Sequence, residues 1–78
     1  MTLNTSKNDH GLIRKSDLAM KYFPNATTPK LARDNLTRWI NRCTPLLHAM
    51  ARAHYNTHDW YYTPRQVELI YEYLGTPD

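Results

Sequence analysis

Three Thr-Pro dipeptides, Thr28-Pro29, Thr44-Pro45 and Thr63-Pro64, each stand directly before a run of helically spaced apolar residues. A threonine hydroxyl at an N-cap accepts a bond from an unpaired N–H of the first turn, and proline at the next position loses nothing by lacking its own. Thr63-Pro64-Arg65-Gln66 adds the reciprocal capping box, with Gln at the third helical position. A chain punctuated in this way is built from short helices.

The run from Thr28 to Cys43 has the strongest pattern. Ala32, Leu36, Trp39, Ile40 and Cys43 make one buried stripe on a helix of about four turns. A helix before it starts at Ser16, runs from Asp17 to Phe23 and turns Leu18, Ala19, Tyr22 and Phe23 inward. Pro24 stops it, because the residue before a proline avoids the α region. A third helix begins at Thr44-Pro45, buries Leu46, Leu47, Met50 and Ala51, and fades near Ala53. A fourth spans Pro64 to Leu74, with Val67, Ile70, Tyr71 and Leu74 inward, Gly75 as its C-terminal cap and Pro77 blocking continuation. Between the last two helices, Tyr55 and Trp60-Tyr61-Tyr62 are strand formers around the turn formers Asn56 to Asp59. This reads as a small β-hairpin or extended loop in which Trp60 and Tyr62 alternate inward. Leu12-Ile13 offers another short strand.

The resulting expectation is a mainly α domain of four short helices with a helix-turn-helix and a small β-hairpin wing. It occupies residues 12–75, between a flexible polar tail over 1–11 and a short tail over 76–78. A chain of 78 residues has room for one modest core, burying roughly 60% of its unfolded surface.

Charge narrows the partner class. From Arg14 to Arg65 there are nine Lys and Arg against Asp17, Asp34 and Asp59, whereas Glu68, Glu72 and Asp78 follow with no base. This asymmetry suits one face for a polyanion and another turned away from it. A single cysteine excludes an internal disulfide and fits a reducing cytoplasm. There is no apolar run long enough to span a membrane and no secretory h-region, so the expected location is cytoplasmic.

The first two helices form a helix-turn-helix candidate, whose second helix (about 29–43) enters the major groove of duplex DNA. On its polar side lie Lys30, Arg33, Thr37, Arg38, Asn41 and Arg42. Arginine pairs with guanine edges and asparagine with adenine, and lysine suits phosphate. The wing, about 54–62, adds Asn56 and His58, and Lys15 and Arg65 complete the expected contact set. The plainer reading of such a helix is a solvated amphipathic face. The alternative function is a protein-interaction module on the same frame without DNA binding. Leu69 and Tyr73 on the fourth helix suggest either an extension of the core or a homodimer patch.

Catalysis and cofactors find little support. Cys43, His48, His54 and His58 are spaced Cys-x4-His-x5-His-x3-His, without the close paired ligands of structural zinc sites, and Cys43 falls on the buried stripe. Gly11 and Gly75 are the two glycines, too few for a phosphate loop, and Glu68 with Glu72 read as solvated surface. No metal, cofactor or small-molecule substrate is expected, and the chain does not read as an enzyme.

Arg14-Lys-Ser-Asp-Leu-Ala-Met-Lys-Tyr-Phe-Pro24, then Ala32-Arg33, Leu36 and Arg38-Trp39-Ile40, then Tyr61 to Gly75, resemble a family of short gut-bacterial proteins that carry a domain of unknown function. The resemblance covers Ile13 to Pro77, most specifically Ser16–Pro24 and Tyr62–Gly75. In that family a glycine often precedes the position of Tyr55, where this chain has His54. More distantly, the order of elements is similar to the winged-helix heads of the mercury-resistance-regulator and excisionase class. That similarity implies DNA contact through the second helix and a wing, at the level of fold alone.

Overall fold

The chain runs β1 (Ile13–Arg14), α1 (Lys15–Tyr22), α2 (Pro29–Arg42), α3 (Thr44–Arg52), β2 (Tyr61–Tyr62) and α4 (Pro64–Leu74). The computed structural model describes residues 11–77, so all but Gly11 of the tail expected over 1–11, and Asp78 of the one expected over 76–78, lie outside the described residues. Gly11 is exposed and lies beside Pro64 at the start of α4. Its backbone has φ +78°, and a Cβ there would stand 2.9 Å from Pro64 Cγ.

The domain is mainly α, with four helices and a two-stranded antiparallel pair. β1 pairs with β2 in the register Ile13↔Tyr62 and Arg14↔Tyr61. The partner of β2 is therefore the strand before α1 and not the Tyr55 segment. Tyr55 is already committed, because its N–H donates to the Met50 carbonyl at the end of α3. The segment 53–60 is an irregular loop between α3 and the strand pair.

Helix starts follow the caps closely in two of four cases. Thr28 Oγ1 accepts from the Leu31 N–H, 3.1 Å, with Pro29 in the first turn of α2. Thr63 and Gln66 exchange both capping-box bonds. Thr44, expected as a cap, is instead the first residue of α3. A single residue, Cys43, joins α2 to α3, and its carbonyl accepts from the Leu47 N–H, which leaves Thr44 no place outside the helix. α1 begins at Lys15, earlier than Ser16 suggested, because β1 runs directly into it and the Lys15 N–H donates to the Trp60 carbonyl at 2.8 Å.

Leu18 and Ala19 of α1, Ala32, Leu36 and Ile40 of α2, Leu46, Ala49 and Met50 of α3, Tyr62, and Leu69 and Ile70 of α4 form one core. Leu36→Ala in such a core costs about 2–5 kcal/mol, much of the stability of a small domain. Three inward expectations are revised. Ala51 is exposed, Cys43 is half-buried at the α2–α3 corner, and Trp39 is 41% exposed. One side of Trp39 is clamped edge-on by Phe23, with centroids 4.7 Å apart, and by Tyr22 at 6.3 Å, so α1 ends against α2.

α3 ends in a Schellman arrangement, with the His54 N–H on the Ala51 carbonyl and the Tyr55 N–H on that of Met50. The intervening His54 has φ +66°, the left-handed region that costs an L-residue about 1–2 kcal/mol and glycine nothing. After the greater entropy of glycine in the unfolded chain is subtracted, His54→Gly should stabilise the domain by about 0.5–1 kcal/mol, read as a higher thermal midpoint. A lower midpoint would contradict this account of the α3 terminus.

At the far end of α1, the Tyr22 hydroxyl donates to the Gly75 carbonyl, which ties α1 to the end of α4. Burial, aided by the neighbouring Tyr71, pushes the Tyr22 phenol up to about 12. Because this folded value lies above the ordinary one, its stabilising contribution is complete below pH 10 and is lost as pH rises through about 12. Tyr22→Phe should flatten the alkaline fall of stability in that window, measured by denaturant melts at stepped pH.

Candidate nucleic-acid interface

The expected contact residues separate into a buried member, a shared open surface and outlying positions. Lys15 is 2% exposed. Its Nζ donates to the Asn56 carbonyl at 2.7 Å and lies 4.7 Å from the centroid of the Tyr55 ring and 5.4 Å from that of Tyr62. Desolvation lowers its pKa, Asp59 opposes that and Arg33 adds to it. Lys15 is a buried cation held within the fold.

The same carbonyl of Asn56 also accepts from the Asp59 N–H, and Asn56 Oδ1 accepts from the His58 N–H. Gln66, buried beneath α4, donates from Nε2 to the Ala53 carbonyl at 2.9 Å. The loop 53–60 is thus fixed at Ala53, Asn56 and Trp60 to the beginnings of α1 and α4. Asn56 serves this frame, whereas His58 is exposed on it.

On α2, residues advance about 100° around the axis per step, which places Arg33, Thr37, Lys30 and Asn41 in one arc beside the buried stripe. This flank faces the loop. The Arg33 guanidinium lies over the Trp60 ring, 5.6 Å from its centroid. Burial raises the Tyr55 phenol, and the Thr37 side chain of α2 is the group that opposes this, although no hydrogen bond closes between them. Lys30, Asn41 and Arg42 are exposed, and Arg33 and Thr37 are half-exposed. Arg38 and Arg42 lie farther round the helix, where Arg38 Nη1 donates to Asn35 Oδ1 at 3.1 Å.

One acid tempers the surface. Asp34 Oδ2 is 3.0 Å from Lys30 Nζ, and its Oδ1 is 3.8 Å from Arg33 Nη2. The Lys30 hydrogen bond, with the charges of Lys30, Arg33 and Arg38, holds the Asp34 carboxyl below its usual range. Exposed pairs of this kind are worth little in water and exchange readily for another anion.

Arg65 lies elsewhere, in a cleft between α3 and α4 with Ala49, Arg52, Ala53 and Leu69, and is ion-paired with Glu68 at 3.3 Å. Leu69 is 4% exposed at the floor of that cleft, so it extends the core and forms no surface patch with Tyr73, which is 41% exposed.

Sequence reasoning placed Trp60 inward. It is 63% exposed, because the strand covers Tyr61–Tyr62 alone and period-two alternation does not reach back to residue 60. Leu12 and Tyr61 are exposed beside it, with the Arg14 guanidinium over the Tyr61 ring. The extended pair Ile13-Arg14 leading into the Leu18/Ala19 stripe is the available signal that Arg14 faces out and Lys15 in. Among the described residues, no group of three or more His, Cys, Asp or Glu is arranged to hold a metal, and no helix is long and apolar enough to cross a membrane.

The architecture is a small mainly α domain in which an aromatic loop is pinned against the basic flank of the second helix. A family model for a domain of unknown function, DUF4248, matches residues 10–77, and the chain belongs to that family. No curated protein and no solved structure matches it.

Replacing Lys15 by Met keeps the apolar stem but removes the ammonium from the Asn56 carbonyl and both rings. The variant should lose about 2–3 kcal/mol of stability. An unchanged denaturation midpoint would show that the buried cation does not hold the loop.

Proposed function

We propose that the domain binds duplex DNA, with α2 as the reading element and the 53–60 loop as the flanking wing. In this reading it acts as a small transcriptional regulator or excisionase-like accessory factor in a bacterial cytoplasm, comparable to the winged-helix heads of the mercury-resistance-regulator class. The observation that carries the proposal is Arg33 over Trp60, which joins the α2 flank and the loop into one open surface. Lys30 is positioned for phosphate, and Asn41 and Arg33 suit base edges. Arg38 and Arg42 extend the cationic surface toward the neighbouring backbone, and His58 supplies a loop donor. Lys15 and Arg65 have no part in it.

A protein partner is the second reading, favoured by the exposed Leu12, Trp60 and Tyr61 beside two arginines, a composition common at interface anchors. Salt dependence separates the two. Phosphate contacts make log K fall with log salt by about 0.9 per contact. Lys30→Ala should weaken duplex binding and flatten that slope by about one contact. Asp34→Asn, which removes the competing carboxylate from Lys30 and Arg33, should tighten binding about two- to fivefold at low salt. No duplex binding at low salt would reject the proposal.

A further inference from the structure

We propose that Trp60 is a stacking platform for one unpaired base, selecting an amino-bearing base over thymine; this rests on the DNA-binding reading above. Trp60 is the most exposed of the large apolar side chains among the described residues, yet it is not loosely held. Its carbonyl accepts from the Lys15 N–H at 2.8 Å, and the next residue enters β2. The indole is therefore presented on a fixed backbone, at little entropic cost on binding. One side meets the Arg33 guanidinium, so a base on the free side would complete a base–indole–guanidinium stack.

The surroundings of the ring suit a base rather than a phosphate. Trp60 lies in an open groove of about 320 Å³ with Leu12, His58, Asp59, Tyr61 and Thr63. Leu12 and Tyr61 add apolar walls. Asp59 is exposed and makes no ion pair among the described residues. A carboxylate repels a phosphate but accepts from the exocyclic amine of cytosine or adenine, which thymine lacks. Lys30, which suits phosphate, lies with Arg33 on the adjoining α2 flank, where a strand delivering that base would run. A purely electrostatic DNA face would carry neither an exposed indole nor an unpaired acid at this point.

The partner is accordingly a duplex with an extruded, bulged or otherwise unpaired base, which is cheap to bring to the ring because its stacking is already lost. The test measures binding of the intact domain to three labelled oligonucleotides by fluorescence anisotropy: a perfect duplex, the same duplex with one bulged cytosine, and the same with one bulged thymine. The bulged cytosine should bind about tenfold tighter than the perfect duplex, within the range of a base–aromatic stack. Trp60→Ala should erase that gain, so that the bulged and perfect duplexes bind this variant alike, and Trp60→Phe should retain most of it. Asp59→Ala should abolish the preference for cytosine over thymine. Equal binding of bulged and perfect duplexes, or a preference that survives Trp60→Ala, overturns this inference alone. Failure to bind any of the three overturns the DNA-binding reading with it.

Discussion

The Lys15 ammonium, closed under the rings of Tyr55 and Tyr62 and bonded to the Asn56 carbonyl, ties the first turn of α1 to the loop between α3 and β2. Removing a cation from water is costly, and here the carbonyl and the two π faces replace its hydration. The neighbouring bonds work on the same segment. The Lys15 N–H holds the Trp60 carbonyl, and Gln66 holds that of Ala53. A loop that would otherwise be a free connection becomes a fixed part of the surface. Because Trp60 is fixed, Arg33 of α2 has a partner across the gap, and the basic flank of the helix and the loop share one face.

This arrangement sorts the basic residues between Arg14 and Arg65 that were expected at the interface by environment rather than by charge. Lys15 holds the frame. Arg65 is engaged with Glu68 on the α3–α4 side. Arg14 lies over Tyr61. The α2 cations on the flank that faces the loop are Lys30 and Arg33, and Asp34 pairs with both. Membership of a domain-of-unknown-function family covering residues 10–77 brings no assigned chemistry with it.

Local chemistry made much of the fold legible in the sequence. The Thr28 and Thr63 caps, the Pro24 stop, the Gly75 terminus and the Ala32/Leu36/Ile40 stripe act within a few residues of themselves, and each fell where its pattern indicated. Illegible features depended on partners far along the chain. Lys15 meets Asn56 forty-one residues later, and β2 finds β1 rather than Tyr55. Lys15 does share a stripe with Leu18, Ala19 and Tyr22, so its burial had a helical signal that its charge concealed. Leu69 was left open between core and surface for the converse reason. Its helix buries a wider arc than one stripe, because α3 covers the side that carries Gln66 and Leu69. Of the candidate site, the α2 residues were readable from periodicity, whereas the exposure of Trp60 was decided by a strand only two residues long.

The central claim is that one surface, made of the α2 flank and the pinned loop, meets nucleic acid. Amide and side-chain chemical-shift mapping during a duplex titration tests it most directly. The account predicts the largest changes at Lys30, Arg33, Thr37, Asn41, His58 and the Trp60 indole N–H, with Arg52, Arg65 and Glu72 unmoved. Changes centred on the α3–α4 cleft, or none on the α2 flank while binding is measurable, would contradict it.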